Sequence, residues 1–314
     1  MKNKKIVVIG GGKGIFNVLS GLKKYPVHLS AIVSTTDNGG SSGILRKELG
    51  VLPPGDVRRA LLALADSKKT ILDLFNFRFS EGKLSGHNFG NLFISALEKI
   101  TGSLEKSIEI TGNILGVKGE IIPITLQKTD LFAILETGRI IKGETDIDIP
   151  KHNPCLKIKR VYLKPRIKAN EKAVRAIKKA DLIVIGPGDL YTSLIPNLLV
   201  EGIPQAVRKS RAKKVYICSL MTKPGETNGF KSSEFVEKME RYLGKDVLNF
   251  VVLNDKKPLP ARIRKYEKKG AEFVQPDKNN FQGKKLKIIS ADFLETQGLI
   301  QHRADKLAET LIKL

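Results

Sequence analysis

Twice in this chain a short apolar run stops in a cluster of glycines: Ile6 to Ile9 runs into Gly10, Gly11, Gly12 and Gly14, and Leu182 to Ile185 runs into Gly186, Pro187 and Gly188. A continuous run of this length reads as a strand covered on both faces, which is the habit of parallel sheets. Ile15, Val18, Leu19 and Leu22 follow the first cluster at helical spacing, so its glycines sit at a strand-to-helix turn. Similar alternation elsewhere in the chain predicts an α/β fold of three layers, α/β/α, around a mainly parallel Rossmann-like sheet.

Glycine at such a turn reaches positive φ and exposes its N–H to a ligand, and the helix start adds partial positive charge. Phosphate is the natural occupant. The standard fingerprints do not match: a dinucleotide motif needs glycine at Ile15, and a P-loop needs Ser or Thr where Gly14 follows Lys13. Taken alone, the turn therefore has two readings, a ligand loop and a merely tight bend.

The later loops narrow the choice. A second strand, His28 to Ser34, opens into the nine-residue stretch Thr35 to Gly43, which contains Asp37, Asn38, Gly39, Gly40, Ser41, Ser42 and Gly43 and no large apolar side chain. Its hydroxyls and N–H groups suit phosphate or ribose oxygens, and Asp37 suits a hydroxyl or Mg²⁺. Asp56, after Pro53-Pro54-Gly55, reads as the N-cap of the next helix. His87, Asn88 and Asn91 precede another apolar helix and have a ligand-facing and a structural reading. Residues from about 120 to 165 read as a β-hairpin excursion with a lysine-rich return to the main sheet. The second half then resumes, with Gly186, Pro187, Gly188, Asp189, Tyr191, Thr192 and Ser193 after one strand, Met221 to Thr227 after the next, and Asn254-Asp255 after a third. Polar loops at strand C-termini gather along one sheet edge, which is where open α/β sheets bind ligands. A nucleotide or nucleotide-linked substrate fits such a cleft, whereas no G-x-S-x-G elbow or hydrolytic triad spacing is present.

Composition limits the partners. The charge of +23, from 55 basic and 32 acidic residues, favours anions, but the lysines are dispersed and no nucleic-acid module is recognisable. The expectation is a solvated basic surface, with no membrane and no specific nucleic-acid partner. Cys155 and Cys218 stand far apart, and the four histidines are scattered, so no metal cluster can be drawn. The initial apolar run is too short for a signal peptide or a span, so the reading is cytoplasmic. A homodimer is the base-rate expectation for assembly.

On Ile9 to Gly14, Asp37 to Gly43, Pro53 to Asp56, Gly86 to Leu92, Gly186 to Ser193, Met221 to Thr227 and Gly298 to Leu307, the chain resembles the gluconeogenesis factor (YvcK) family, a branch of the CofD-like proteins. The resemblance implies a single nucleotide-binding domain over residues 1–314, a cleft for UDP-sugars or related nucleotides, and a role in cell shape and envelope synthesis under gluconeogenic growth. It also implies that the segments Gly10 to Gly14, Asp37 to Gly43, His87 to Asn91 and Gly186 to Ser193 form the binding site. Lys13, Asn38 and Asn88-Phe89 depart from the family's usual Thr, Asp and Ser-Leu. The first two departures point toward anion binding and away from metal-assisted transfer. Two further functions follow as rivals: a Mg²⁺-dependent phospholactate-type transferase using Asp37, and non-specific nucleic-acid binding through the basic surface.

Overall fold

The computed structural model describes residues 4–314. The first half runs β1 (Lys5–Gly10), α1 (Gly12–Leu22), β2 (His28–Val33), α2 (Gly40–Leu49), α3 (Gly55–Leu64), α4 (Lys69–Asn76), α5 (Phe89–Thr101), α6 (Leu104–Ile114) and β3 (Glu120–Pro123). An excursion follows, with β4 (Asp130–Leu135), β5 (Ile140–Lys142), α7 (Glu144–Asp148) and β6 (Ile158–Lys164). The second half is α8 (Glu171–Lys179), β7 (Leu182–Ile185), α9 (Ile195–Leu198), α10 (Ile203–Lys209), β8 (Lys213–Ile217), α11 (Ser232–Leu243), β9 (Phe250–Asn254), α12 (Pro260–Glu267), β10 (Lys287–Ala291) and α13 (Ala304–Ile312).

Seven strands form one sheet in the order β10-β9-β8-β7-β1-β2-β3, and every pairing is parallel. Its central strands are buried on both faces. In β1, Val7 and Ile9 enter the core that holds Ile177, Leu198 and Phe235, while Ile6 and Val8 enter the core that holds Leu19, Leu61 and Leu307. Successive side chains of a strand point to opposite faces, so an unbroken apolar run is what two helical layers require. Each fully buried aliphatic chain contributes about 1.5–3 kcal/mol.

The excursion differs in detail from one hairpin. Glu120–Pro123 belongs to the main sheet, pairing with β2, and the predicted return segment supplies β6, which pairs with β4. The hairpin β4–β5 thereby grows into a three-stranded antiparallel sheet in the order β5-β4-β6. The burial patterns explain both placements. Ile121, Ile122 and Pro123 are consecutively buried, as in a strand covered on both faces, whereas β4 alternates buried and half-buried residues, as in a sheet with one open face.

Connectivity fixes where a ligand can enter. From β1 the chain moves one way to β2 and β3, then returns to lay β7 on β1's other side and continues outward. The turn after β1 starts α1 on one face of the sheet, and the turn after β7 leads to α9 on the other. A crevice opens between β1 and β7 at this topological switch point.

Candidate functional site

The two glycine turns meet in that crevice. The Gly186 N–H donates to the Ile9 carbonyl oxygen at 3.0 Å, and a Cβ on Gly14 would overlap the Pro187 carbonyl oxygen. Gly12 has φ +67° and faces the Ser193 hydroxyl. Only glycine takes up this backbone conformation and this approach without strain. Gly10 packs on Gly186 and Leu194, and Lys13 is exposed beside the turn.

Asp56 has a different role from the cap expected of it. Pro54 occupies the N-cap position of α3, and Asp56 Oδ1 reaches across to accept the Gly12 N–H at 2.9 Å and Arg59 Nη1 at 3.1 Å. The N-terminus of α1, expected to hold phosphate, thus already faces a carboxylate. Burial pushes the Asp56 carboxyl up; Arg59 and the Gly12 N–H oppose this, while the charge of Asp37 adds to it. Asp37 Oδ1 accepts the Gly39 N–H at 2.8 Å, and its other oxygen faces Gly55.

The antiparallel sheet contributes α7 to this cluster. Asn38 Oδ1 accepts from the Thr145 N–H at 2.9 Å and from the Thr145 hydroxyl at 3.0 Å, so this amide oxygen anchors α7 instead of facing a ligand. Glu144, at the start of α7, is pushed up to about 8 by burial and by Asp37, Asp148 and Asp56. Carboxyl groups thus gather on the side where Lys13 and Asn38 pointed toward anion binding.

Across the crevice the second turn has its own carboxylates. Glu226, 3% exposed, accepts the Tyr191 N–H and the Thr192 hydroxyl, each at 2.8 Å. Oxygens of Asp148, Asp189 and Glu226 lie within 4.8 Å of one another. Burial, then Asp189, raises the Glu226 carboxyl. Lys223 Nζ sits 2.7 Å from Asp148 and 3.7 Å from Asp189. Burial alone would lower the lysine, but Asp189 and Asp148 outweigh it and hold it charged. The ammonium supplies the positive charge that a metal would otherwise bring.

Other expected site residues brace the loops. Ser41 Oγ contacts His87 Nδ1 at 3.3 Å and accepts the Asn88 N–H at 3.2 Å. Asn88 caps α5 by accepting the Asn91 N–H, and Asn91 accepts from Arg58 Nε at 2.9 Å and donates to Ser42. All five of these loop side chains are buried. Gly43 lies tight against the Asn38 carbonyl, and Gly40 begins α2 at positive φ with open space around it. Of the expected site residues, Gly12, Lys13, Gly14, Asp37, Asn38, Gly39, Gly40, Gly43, Gly188, Asp189 and Ser193 are half-buried or exposed.

Sequence reasoning missed Asp56 as a crevice group, and it missed Glu144, Thr145 and Asp148 altogether. Lys223 and Glu226 did carry a signal, because they lie in a polar loop directly after a strand. A depression of 1020 Å³ lies at the other end of the strands, where Lys5, His28 and Glu120 begin. It is lined by Glu105, Glu109 and Glu120 but by neither of the two glycine turns.

A family model described as 2-phospho-L-lactate transferase CofD matches residues 6–294. The chain belongs to this CofD family. It is 41% identical over 317 residues to a protein of Halalkalibacterium halodurans named gluconeogenesis factor, covering 100% of this chain and 97% of that one. The gluconeogenesis factor of Listeria innocua is 41% identical over 316 residues, covering 99% and 95% of the two chains. A crystal structure of a Bacillus halodurans protein superposes with TM-score 0.95 at 40% identity, covering 99% of each chain. This CofD-family chain thus shares its whole architecture with that protein. No helix among the described residues is long and apolar enough to cross a membrane.

Proposed function

We propose that this chain is a cytoplasmic gluconeogenesis factor whose crevice binds the diphosphate of a nucleotide-sugar of the UDP-sugar class, supporting cell shape and envelope synthesis during gluconeogenic growth. The observation that carries this reading is the contact between the turns after β1 and β7 at the switch point, with Ser193 beside Gly12 and the exposed Lys13 on the first turn. Asp37, Asp56 and Glu144 would repel a diphosphate arriving alone, so the ligand comes with a divalent cation. Carboxylate oxygens of Asp37 and Asp56 would hold Mg²⁺ together with oxygens of the diphosphate itself, Arg59 being the salt-bridge partner of Asp56 among the described residues. Bound there, the cation would supply positive charge against the phosphate oxygens. The test is calorimetric titration with a uridine diphosphate sugar, with and without Mg²⁺. Mg²⁺-dependent heat that Asp37→Asn abolishes is expected, and the absence of heat with any nucleotide overturns the reading.

A second reading is a transferase of phosphorus-containing groups, favoured by the family match and by the same carboxylates. In it Asp37 orients the acceptor while glycine N–H groups take developing phosphate charge. Incubation with a nucleotide-activated donor, Mg²⁺ and an acceptor should then release nucleoside monophosphate. Turnover unchanged in Asp37→Ala would remove that role.

A further inference from the structure

The small antiparallel sheet buries one face and leaves the other open. Leu131, Ala133, Leu135, Ile141, Val161 and Leu163 point into the core, so their alternate neighbours form an outward lattice. Its register is given by the pairings. Lys142, Phe132 and Tyr162 make one row across β5, β4 and β6, and Ile140, Ile134 and Arg160 make the next. Phe132 and Tyr162 stack, with ring centroids 5.2 Å apart and planes 13° from parallel. Lys142 Nζ lies 5.8 Å from the Phe132 centroid, and the Arg160 guanidinium lies 5.9 Å from that of Tyr162.

We propose that this outward face is a sequence-tolerant platform for single-stranded nucleic acid. The half-buried rings stack on each other with Lys142 over one and Arg160 over the other, so a base adds at the outer end of this row, against Tyr162 or the Arg160 guanidinium plane, while the cations follow the phosphates. Charge complementarity selects the partner. Lys142, Arg160 and Lys164 are exposed on the face, and Lys157, Lys159 and Arg139 are exposed at its edges. Asp130 on the face is already held by Arg46 at 2.7 Å and Lys142 at 3.3 Å, and Glu136 at the edge accepts the Lys157 N–H at 3.1 Å. A net charge of +23 adds long-range attraction for a polyanion. An acidic peptide would satisfy the cations but leave the stacked rings without a role, and a duplex hides the base faces that the rings would take. Phe132 and Tyr162 are 30 residues apart in the chain (162 minus 132), so the pairing is invisible as a linear motif.

The experiment is fluorescence anisotropy of the full-length protein with labelled oligouridine and oligothymidine of about 12 nucleotides, a length within the range one sheet platform covers. Binding should weaken steeply between about 50 and 200 mM salt. Phe132→Leu with Tyr162→Leu keeps the face apolar and should weaken binding about tenfold or more at fixed salt. Arg160→Gln, at an exposed position, should reduce the salt slope by about 0.7, the contribution of one phosphate contact on a single strand. Lys178→Gln with Lys179→Gln, on α8, should change neither, and a nucleotide in the crevice should not compete. The proposal falls if the leucine pair binds as the parent does while melting at the parent's temperature, or if Arg160→Gln leaves the slope intact. It falls equally if a duplex binds as well as the single strand, or if polyglutamate displaces the oligonucleotide with the same residue dependence.

Discussion

The turns after β1 and β7 leave neighbouring strands and touch each other, yet the carboxylates behind them are neutralised in opposite ways. Behind the second turn, Glu226 is held by two donors and the Asp148–Asp189 pair by the Lys223 ammonium. That half carries an internal cation. Behind the first turn, one salt bridge among the described residues, from the partly exposed Arg59 to Asp56, serves Asp37, Asp56 and Glu144, and burial, then the charges of Asp37, Asp148 and Asp56, pushes Glu144 up to about 8. That half lacks positive charge. One side has a lysine ammonium between its carboxylates, and the other has only the contact of Arg59 with Asp56, which is the asymmetry the proposed cation-accompanied ligand would use.

The contrast is most exposed to attack at Glu226. Glu226→Ala strands the buried Tyr191 N–H and Thr192 hydroxyl, and at about 1–3 kcal/mol per donor it should cost about 4 kcal/mol in denaturant unfolding. Glu144→Ala should change stability by only about 0.5 kcal/mol. Equal losses would erase the distinction. Next comes the contact between the halves: Gly14→Val drives a side chain into the Pro187 carbonyl and should cost about 3 kcal/mol. Retention of full stability would mean that the turns do not meet.

Divalent cation sharpens the comparison. At about a hundredfold excess over its dissociation constant, Mg²⁺ should stabilise the parent by about 2.7 kcal/mol in thermal unfolding. Asp37→Asn should remove the effect. Lys223→Met should add a second demand for cation, because it bares three carboxylates whose oxygens lie within 4.8 Å.

The smallest effect is a pH slope. The folded chain keeps Glu144 protonated up to about 8, whereas its ordinary value is 4.5. Between these values the folded state binds the extra proton, so stability falls as pH rises through that window. Melting temperatures without divalent cation should show that fall, and Glu144→Gln should flatten it. A residual slope of the same sign should remain from Asp56, Asp189 and Glu226, whose carboxyls are also raised.

How much of this was legible in the sequence depended on distance along the chain. The strands β1, β2, β7, β8 and β9 were readable because burial on both faces writes an apolar run and a polar loop ends it. β10 escaped because Lys287–Ala291 is short, half-buried and preceded by lysines. Asp56 had a local explanation as a cap, and the bond that matters spans 44 residues to Gly12. His87, Asn88 and Asn91 carried the opposite ambiguity: polar residues at a helix start look alike whether they face a ligand or brace a loop, and here they brace. Glu144 and Asp148 had no signal at all, since the excursion reaches the crevice only by folding back over it.

That fold-back has a mechanical consequence. The five residues of α7 carry Glu144 to one charge centre and Asp148 to the other, pinned by Asn38 on one side and Lys223 on the other. A crossbar of this kind cannot shift under one load alone. A displacement of the small sheet that carries α7 with it would therefore move Glu144 and Asp148 together.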